Sequence, residues 1–215
     1  MQHTVGLLGG SFDPPHNAHL AMAHSFLHLF PDAEVILLPA GEPYHKTQAT
    51  KTAAKHRLNM CLAAVGNHPA LSVSDIDMVR QGNTYTFDTV QIFRQFMPDS
   101  HLWWIMGEDS LRYIHQWKNA QALLMAVNFA VAYRHHNHAF DAVTQKIIEQ
   151  GQKAVAENAP TGQIRFLDMP YDDISSTQIR HLFTQNIRNA QEEKFIRQNI
   201  SPAVLKYIEE NQLYK

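Results

Sequence analysis

A chain of 215 residues with 45% hydrophobic and 18% charged side chains can bury one substantial core, is short for two, and is globular rather than disordered in composition. Its formal net charge of -2 excludes a broadly cationic surface for nucleic acid but leaves room for a local basic patch around a small anion. One cysteine, Cys61, excludes an intramolecular disulfide, and no apolar stretch approaches the roughly 18 residues of a membrane-spanning helix.

Met1–Val5 has neither a positive segment nor a long apolar run, so no signal peptide is expected and the chain reads as cytoplasmic. In chain order, Thr4–Leu8 is a short apolar run closed by Gly9 and Gly10, and it predicts a buried strand. After a loop over 9–16, residues 17–30 predict a helix with Leu20, Ala23, Leu27 and Phe30 on one face. His24 and His28 fall on its solvent side. Glu34–Pro39 predicts a second strand. A loop with Gly41, Pro43 and Lys46 leads to a helix from about 53 to 65, which carries Cys61 as a buried, inert thiol. Leu71–Ser74 predicts a short strand, and Phe87–Phe96 a helix that stops before Pro98. Leu102–Met106 predicts a strand running into Gly107-Glu108-Asp109-Ser110. Val127–Tyr133 predicts another strand, 139–157 a long helix, and Ile164–Leu167 the last strand. Ser175 and Ser176 start a helix to about 185. Ser201-Pro202 starts the final one, with serine as cap and proline at the first helical position.

Strands that alternate with helices, and are themselves continuous apolar runs, predict an α/β fold. The expectation is a single Rossmann-like, doubly wound domain over 1–215 with a mainly parallel sheet flanked by helices. Its C-terminal helical part, from about 175, packs on the rest. Ligands of such sheets bind beyond the carboxyl ends of the strands.

The loop after the first strand reads Gly9-Gly10-Ser11-Phe12-Asp13-Pro14-Pro15-His16-Asn17-Ala18-His19. Two glycines allow a tight turn and close approach of a ligand to the backbone. The helix that follows supplies free N–H groups and a positive dipole end, which suit phosphate. His16 and His19, three apart at that helix start, can face one ligand and donate to phosphoryl oxygens. With 14 histidines in the chain, His-x-x-His spacing alone says little, and His135/His138 repeats it in a polar loop where a metal site would need more ligands. Neither Gly-x-Gly-x-x-Gly at this loop nor a P-loop anywhere is present.

GGSFDPPHNAH resembles the signature of the nucleotidyltransferases that carry a His-x-Gly-His element, with Ala18 where that family usually has glycine and Ser11 where threonine is common. Ile174-Ser175-Ser176-Thr177-Gln178-Ile179-Arg180, read by itself, is a capped helix with a surface arginine; the same family carries an ISSTxIR element that grips the triphosphate. Pro39–Lys46, Asn83–Thr89, Gly107–Ser110 with Trp117 behind it, and the tail Ala203–Asn211 with Leu213-Tyr214 are similar to segments of the bacterial nicotinate mononucleotide adenylyltransferases, over essentially the whole chain.

That resemblance implies adenylyl transfer from ATP to nicotinate mononucleotide, with His16 and His19 as catalytic residues. Gly9, Gly10, Ser11, Phe12, His16, His19, Ser176, Thr177 and Arg180 are implied to bind ATP. Lys46, Thr84, Tyr85, Thr86, Asp109 and Trp117 are implied to hold the acceptor: Lys46 at its phosphate, the Thr84–Thr86 backbone at its carboxylate, Trp117 stacked near the pyridine ring. Asp109 is implied to hold a ribose hydroxyl or to help place the metal. Mg²⁺ arrives with ATP, so no dedicated carboxylate cluster is expected. The partners are ATP and the acceptor, with neither nucleic acid nor membrane; a homo-oligomer stays open. Three alternatives remain: another acceptor (nicotinamide mononucleotide or phosphopantetheine), a zinc hydrolase built on His16 and His19, and a nucleotide-binding domain without turnover.

Overall fold

The six runs predicted as strands all become strands. They are β1 Thr4–Gly10, β2 Glu34–Pro39, β3 Leu71–Val73, β4 His101–Gly107, β5 Asn128–Ala132 and β6 Ile164–Leu167. In this computed structural model, which describes residues 3–41, 52–80, 82–133, 140–169, 174–185 and 189–215, they form one sheet in the order β3-β2-β1-β4-β5-β6. Every pairing is parallel. A parallel strand needs a crossover, and the crossovers cover both faces, which is why the central strands β1, β2, β4 and β5 are apolar and buried over most of their length. Neighbouring side chains therefore serve opposite cores. Val5, Leu7 and Trp104 pack on one face with Leu102 and Phe129, while Leu8, Trp103 and Ile105 pack on the other with Phe26 and Leu37.

The helices are α1 Asn17–Leu29, α2 Ala54–Val65, α3 Ile76–Val79, α4 Thr86–Phe96, α5 Glu108–Leu111, α6 Ala120–Ala126, α7 Ala142–Ala156, α8 Ser176–Phe183, α9 Ala190–Asn199 and α10 Pro202–Glu210, with a 3₁₀ turn at Ile114–Gln116. Of these α3, α5, α6 and α9 were not anticipated. His24 and His28 are exposed on α1, as their spacing predicts. Cys61 is a free, buried thiol whose pKa burial pushes up, so it is held protonated. Among the described residues no helix is long and apolar enough to cross a membrane.

A third core lies away from the sheet. Ile179, Ile196, Val204, Leu205 and Ile208 of α8, α9 and α10 pack with Ala18 of α1 and Met60 of α2. The C-terminal helices are thus docked against the start of α1, at the carboxyl end of β1. The strand order reverses between β1 and β4, so the carboxyl ends of these two strands flank the crevice that such a reversal opens.

Candidate active site

That crevice is a cavity of about 550 Å³. From the β1 side it is lined by Gly9, Gly10, Ser11, His16, Ala18 and His19. From β4 and beyond come Trp104, Gly107, Asp109, Ser110 and Trp117, and Asp77, Thr84 and Thr86 complete a third wall. Ile174, Ser175 and Ser176 close it from the C-terminal helices. Three helices of eight residues or more, α1, α4 and α8, begin at its edge, so their free N–H groups and positive dipole ends bias it toward anions.

The loop between β1 and α1 is rigid for identifiable reasons. A Cβ on Gly9 would lie 2.5 Å from the Trp104 ring, so only glycine lets β1 pass that indole. Phe12 adopts φ 48°, is 1% exposed, and meets the His19 ring edge-on at 4.9 Å between centroids. Phe12 therefore supports the loop from beneath rather than facing the cavity with its ring. His16 is buried, and its ring lies 3.8 Å from that of His19, tilted by 32°. The His16 backbone N–H donates to His19 Nδ1 at 3.2 Å. An imidazole nitrogen that accepts carries no proton, so neutral His19 keeps its proton on Nε2, as a donor.

The C-terminal element is tied to this loop. Ser176 Oγ donates to Pro14 O at 2.9 Å, and Arg180 Nη1 donates to Asp13 O at 2.7 Å. Arg180 Nη2 reaches Thr177 Oγ1 at 3.2 Å. Ser175 Oγ accepts from Gln178 N–H as the α8 cap, which leaves its own hydrogen for a ligand. Tyr214 O–H donates to Asp13 Oδ1 at 2.8 Å.

On the opposite wall, Asp77 Oδ1 accepts from Thr89 Oγ1 at 2.6 Å and pairs with Arg80 at 3.2 Å. Burial nevertheless raises its pKa. Because Thr89 N–H also bonds to Tyr85 O at 3.1 Å, this cluster fixes the first turn of α4 and hence Thr84–Thr86. Tyr85 lies in an adjoining cavity of about 360 Å³ that shares Thr84, Thr86 and Trp117 with the main one, and Lys118 Nζ sits 4.6 Å over its ring.

Comparison with known proteins agrees with this architecture. Residues 7–182 match the cytidylyltransferase-like family. A protein of Neisseria meningitidis serogroup C, named probable nicotinate-nucleotide adenylyltransferase, is 42% identical over 98% of both chains. One of the same name from Synechococcus is 35% identical over 99% of this chain and 95% of its own. The chain belongs to the nicotinate-nucleotide adenylyltransferase family. The fold of a solved Plasmodium falciparum nicotinic acid mononucleotide adenylyltransferase, complexed with NaAD, superposes with a TM-score of 0.76 at 20% identity, covering 99% of this chain and 98% of that one. Ala18 lines the cavity and packs in the third core with Met60 and Ile179.

Of the residues singled out by sequence, Gly9, Gly10, Ser11, His16, His19, Ser176, Thr84, Thr86, Asp109 and Trp117 come together around one cavity. Thr177 and Arg180 stand behind the loop rather than on the cavity wall, and Lys46 lies outside the described residues, as do His135 and His138. Asp77 lines the cavity, and Arg57 and Tyr214 bond to the loop after β1, yet none of the three was singled out by sequence; Ser175 was read only as part of the Ile174–Arg180 element. Ser175 carried a legible signal, since the cap of a helix facing a cavity has a spare hydroxyl hydrogen. Asp77 and Arg57 carried none, because an isolated charged residue in a helical stretch reads as a solvated one.

Proposed function

We propose that this chain transfers AMP from ATP to nicotinate mononucleotide, giving nicotinate adenine dinucleotide and pyrophosphate, a step of NAD biosynthesis. The observation that supports it most is the sharing of one crevice by the Gly9–His19 loop and α8 on one side and Thr84, Thr86, Asp109 and Trp117 on the other. Family membership points to the same activity, and the solved relative described above is complexed with NaAD.

In this reading the acceptor's phosphate oxygen attacks the α-phosphorus of ATP and pyrophosphate leaves in line. The bond to the α-phosphorus forms as the bond to the leaving oxygen breaks, and no covalent enzyme intermediate is needed. His19 donates from Nε2 to the transferring phosphoryl group, where negative charge accumulates. His16 places His19 through its N–H and assists at the phosphates. The Gly9–Ser11 backbone and the N-termini of α1 and α8 receive the remaining phosphate oxygens. Arg180, bonded to Asp13 O, fixes the loop that receives the triphosphate and sets its positive charge behind it.

The acceptor lies toward Thr84, Tyr85 and Thr86, whose backbone reads its carboxylate, with Trp117 against the pyridine ring and Lys46 at its phosphate. Mg²⁺ is the cofactor. Asp109 is an exposed carboxylate on the cavity wall, and a single carboxylate suits an ion that keeps most of its water and is held chiefly by the nucleotide. Bound there, it would neutralise developing charge on the phosphates.

The test is pyrophosphate release from ATP and Mg²⁺ with nicotinate mononucleotide, with nicotinamide mononucleotide and without acceptor. Release that strongly favours the nicotinate acceptor, with a dinucleotide product, is expected. No release with either acceptor would remove the substrate assignment.

A further inference from the structure

Arg57 is, among the described residues, the largest fully buried side chain, at 2% exposure, and it sits beneath the crevice rather than on the surface of α2. Its guanidinium is spread over three chain segments: Nη1 donates to Ser11 O at 3.0 Å, Nη2 to Gly41 O at 3.2 Å, and Nε to Thr52 O at 3.1 Å. A guanidinium keeps its proton at any working pH. Burying such a charge is costly unless an anion offsets it. Among the described residues no carboxylate forms an ion pair with it. Three carbonyl dipoles satisfy its geometry but leave a full positive charge one peptide behind the cavity wall, because Ser11 itself lines the cavity.

The same bond orients a peptide. In a trans peptide the C=O and the following N–H point in opposite directions. With Ser11 O held on Arg57, Phe12 N–H is aimed away from the guanidinium. Phe12 N–H has no hydrogen-bond partner among the described residues, and Phe12 is held at φ 48°. Successive N–H groups around a left-handed residue form the kind of concavity that takes an anion.

We infer that Arg57 is a positioning residue of the nucleotide site: it holds the Ser11–Phe12 peptide with its N–H free for a phosphate oxygen, and the bound polyphosphate is the counter-charge for its buried cation. The inference rests on the adenylyltransferase reading only in taking the ligand to be ATP.

The experiment compares wild type, Arg57→Lys and Arg57→Met by calorimetric titration with ATP, with tripolyphosphate and with adenosine, after circular dichroism has shown each variant folded. Loss of a hydrogen bond to a charged group corresponds to roughly tenfold or more in affinity. Arg57→Met should weaken ATP and tripolyphosphate by at least that factor and leave adenosine unchanged. Arg57→Lys, which keeps the charge but cannot span three carbonyls, should fall in between. If Arg57→Met does not fold, the lysine variant decides alone: ATP weakened with adenosine unchanged supports the role. Equal weakening of ATP and adenosine in either variant, or no weakening at all, overturns it. Wild-type protein that binds ATP but releases no pyrophosphate with any acceptor would sink the catalytic reading, while the comparison among variants would still decide Arg57.

Discussion

The Tyr214 hydroxyl donates to Asp13 Oδ1 at 2.8 Å, joining two residues 201 positions apart in the chain. Asp13 is 2% exposed and lies in the middle of the loop after β1, and Arg180 donates to its carbonyl. Burial and the Asp13 charge both push the Tyr214 pKa up, so the phenol stays a donor throughout the neutral range. Tyr214→Phe should leave the buried carboxylate short of a donor, at a cost of about 1–3 kcal/mol. Urea unfolding measures that loss, and the KM for ATP should rise with it because the loop is no longer held. A variant as stable as wild type with unchanged KM would show that Arg180 and Ser176 suffice.

His19→Ala should lower turnover by roughly 10²–10³-fold, the scale for deleting one transition-state donor. The hydrogen bond from His16 N–H makes a finer prediction. An asparagine can accept that N–H with Oδ1 and donate with Nδ2, so His19→Asn should retain clearly more activity than the alanine variant. Steady-state pyrophosphate release on the two variants gives the ranking. Equal losses would mean that the ring, not its two polar ends, is what matters.

Gly9→Ala sets a Cβ against the Trp104 indole, which is itself buried at 6% exposure. Overpacking of this kind costs about 1–3 kcal/mol. The unfolding midpoint should fall accordingly, and tryptophan emission should shift as Trp104 is displaced. An unchanged midpoint would indicate that the indole has room to turn.

Asp141 caps α7, its carboxylate accepting Thr144 N–H at 2.7 Å, and that bond holds its pKa below the ordinary value of 3.8. A depressed carboxyl favours the folded state above its unfolded pKa, and the stabilisation disappears as pH falls through its folded pKa. Asn at this position still accepts the bond but carries no charge. Wild type should therefore be more stable than Asp141→Asn at neutral pH, with the difference shrinking as pH is lowered through and below 3.8. Paired urea titrations along that range check it. A constant difference would assign the effect to packing.

The strands were legible because a parallel strand is apolar on both faces, and the crevice followed because loops after such strands meet at the order reversal. The short helices α3 and α5, of four residues each, were not legible, since one turn has no periodicity to read. The helix α9 hid for another reason: it is polar nearly all round, with Ile196 its buried residue. Even so, Asn189 and Glu192 form a capping box that marks its start. Arg57 could not have been placed. Its burial is decided by the carbonyls of Ser11, Gly41 and Thr52, which converge only in the folded chain.

The last strand of the sheet ends at Leu167, yet Ser175, Ser176, Arg180 and Tyr214 all follow it. During synthesis the whole sheet can therefore emerge and pair, with Arg57 already on Ser11 O, before the loop after β1 has its C-terminal supports. The crevice would exist at that stage, but the bonds that Ser176, Arg180 and Tyr214 make to Asp13 and Pro14 would still be unmade. Competence to hold a nucleotide thus arrives late, with the docking of α8, α9 and α10, and a nascent chain stalled after β6 should be folded in its centre and unable to retain ATP.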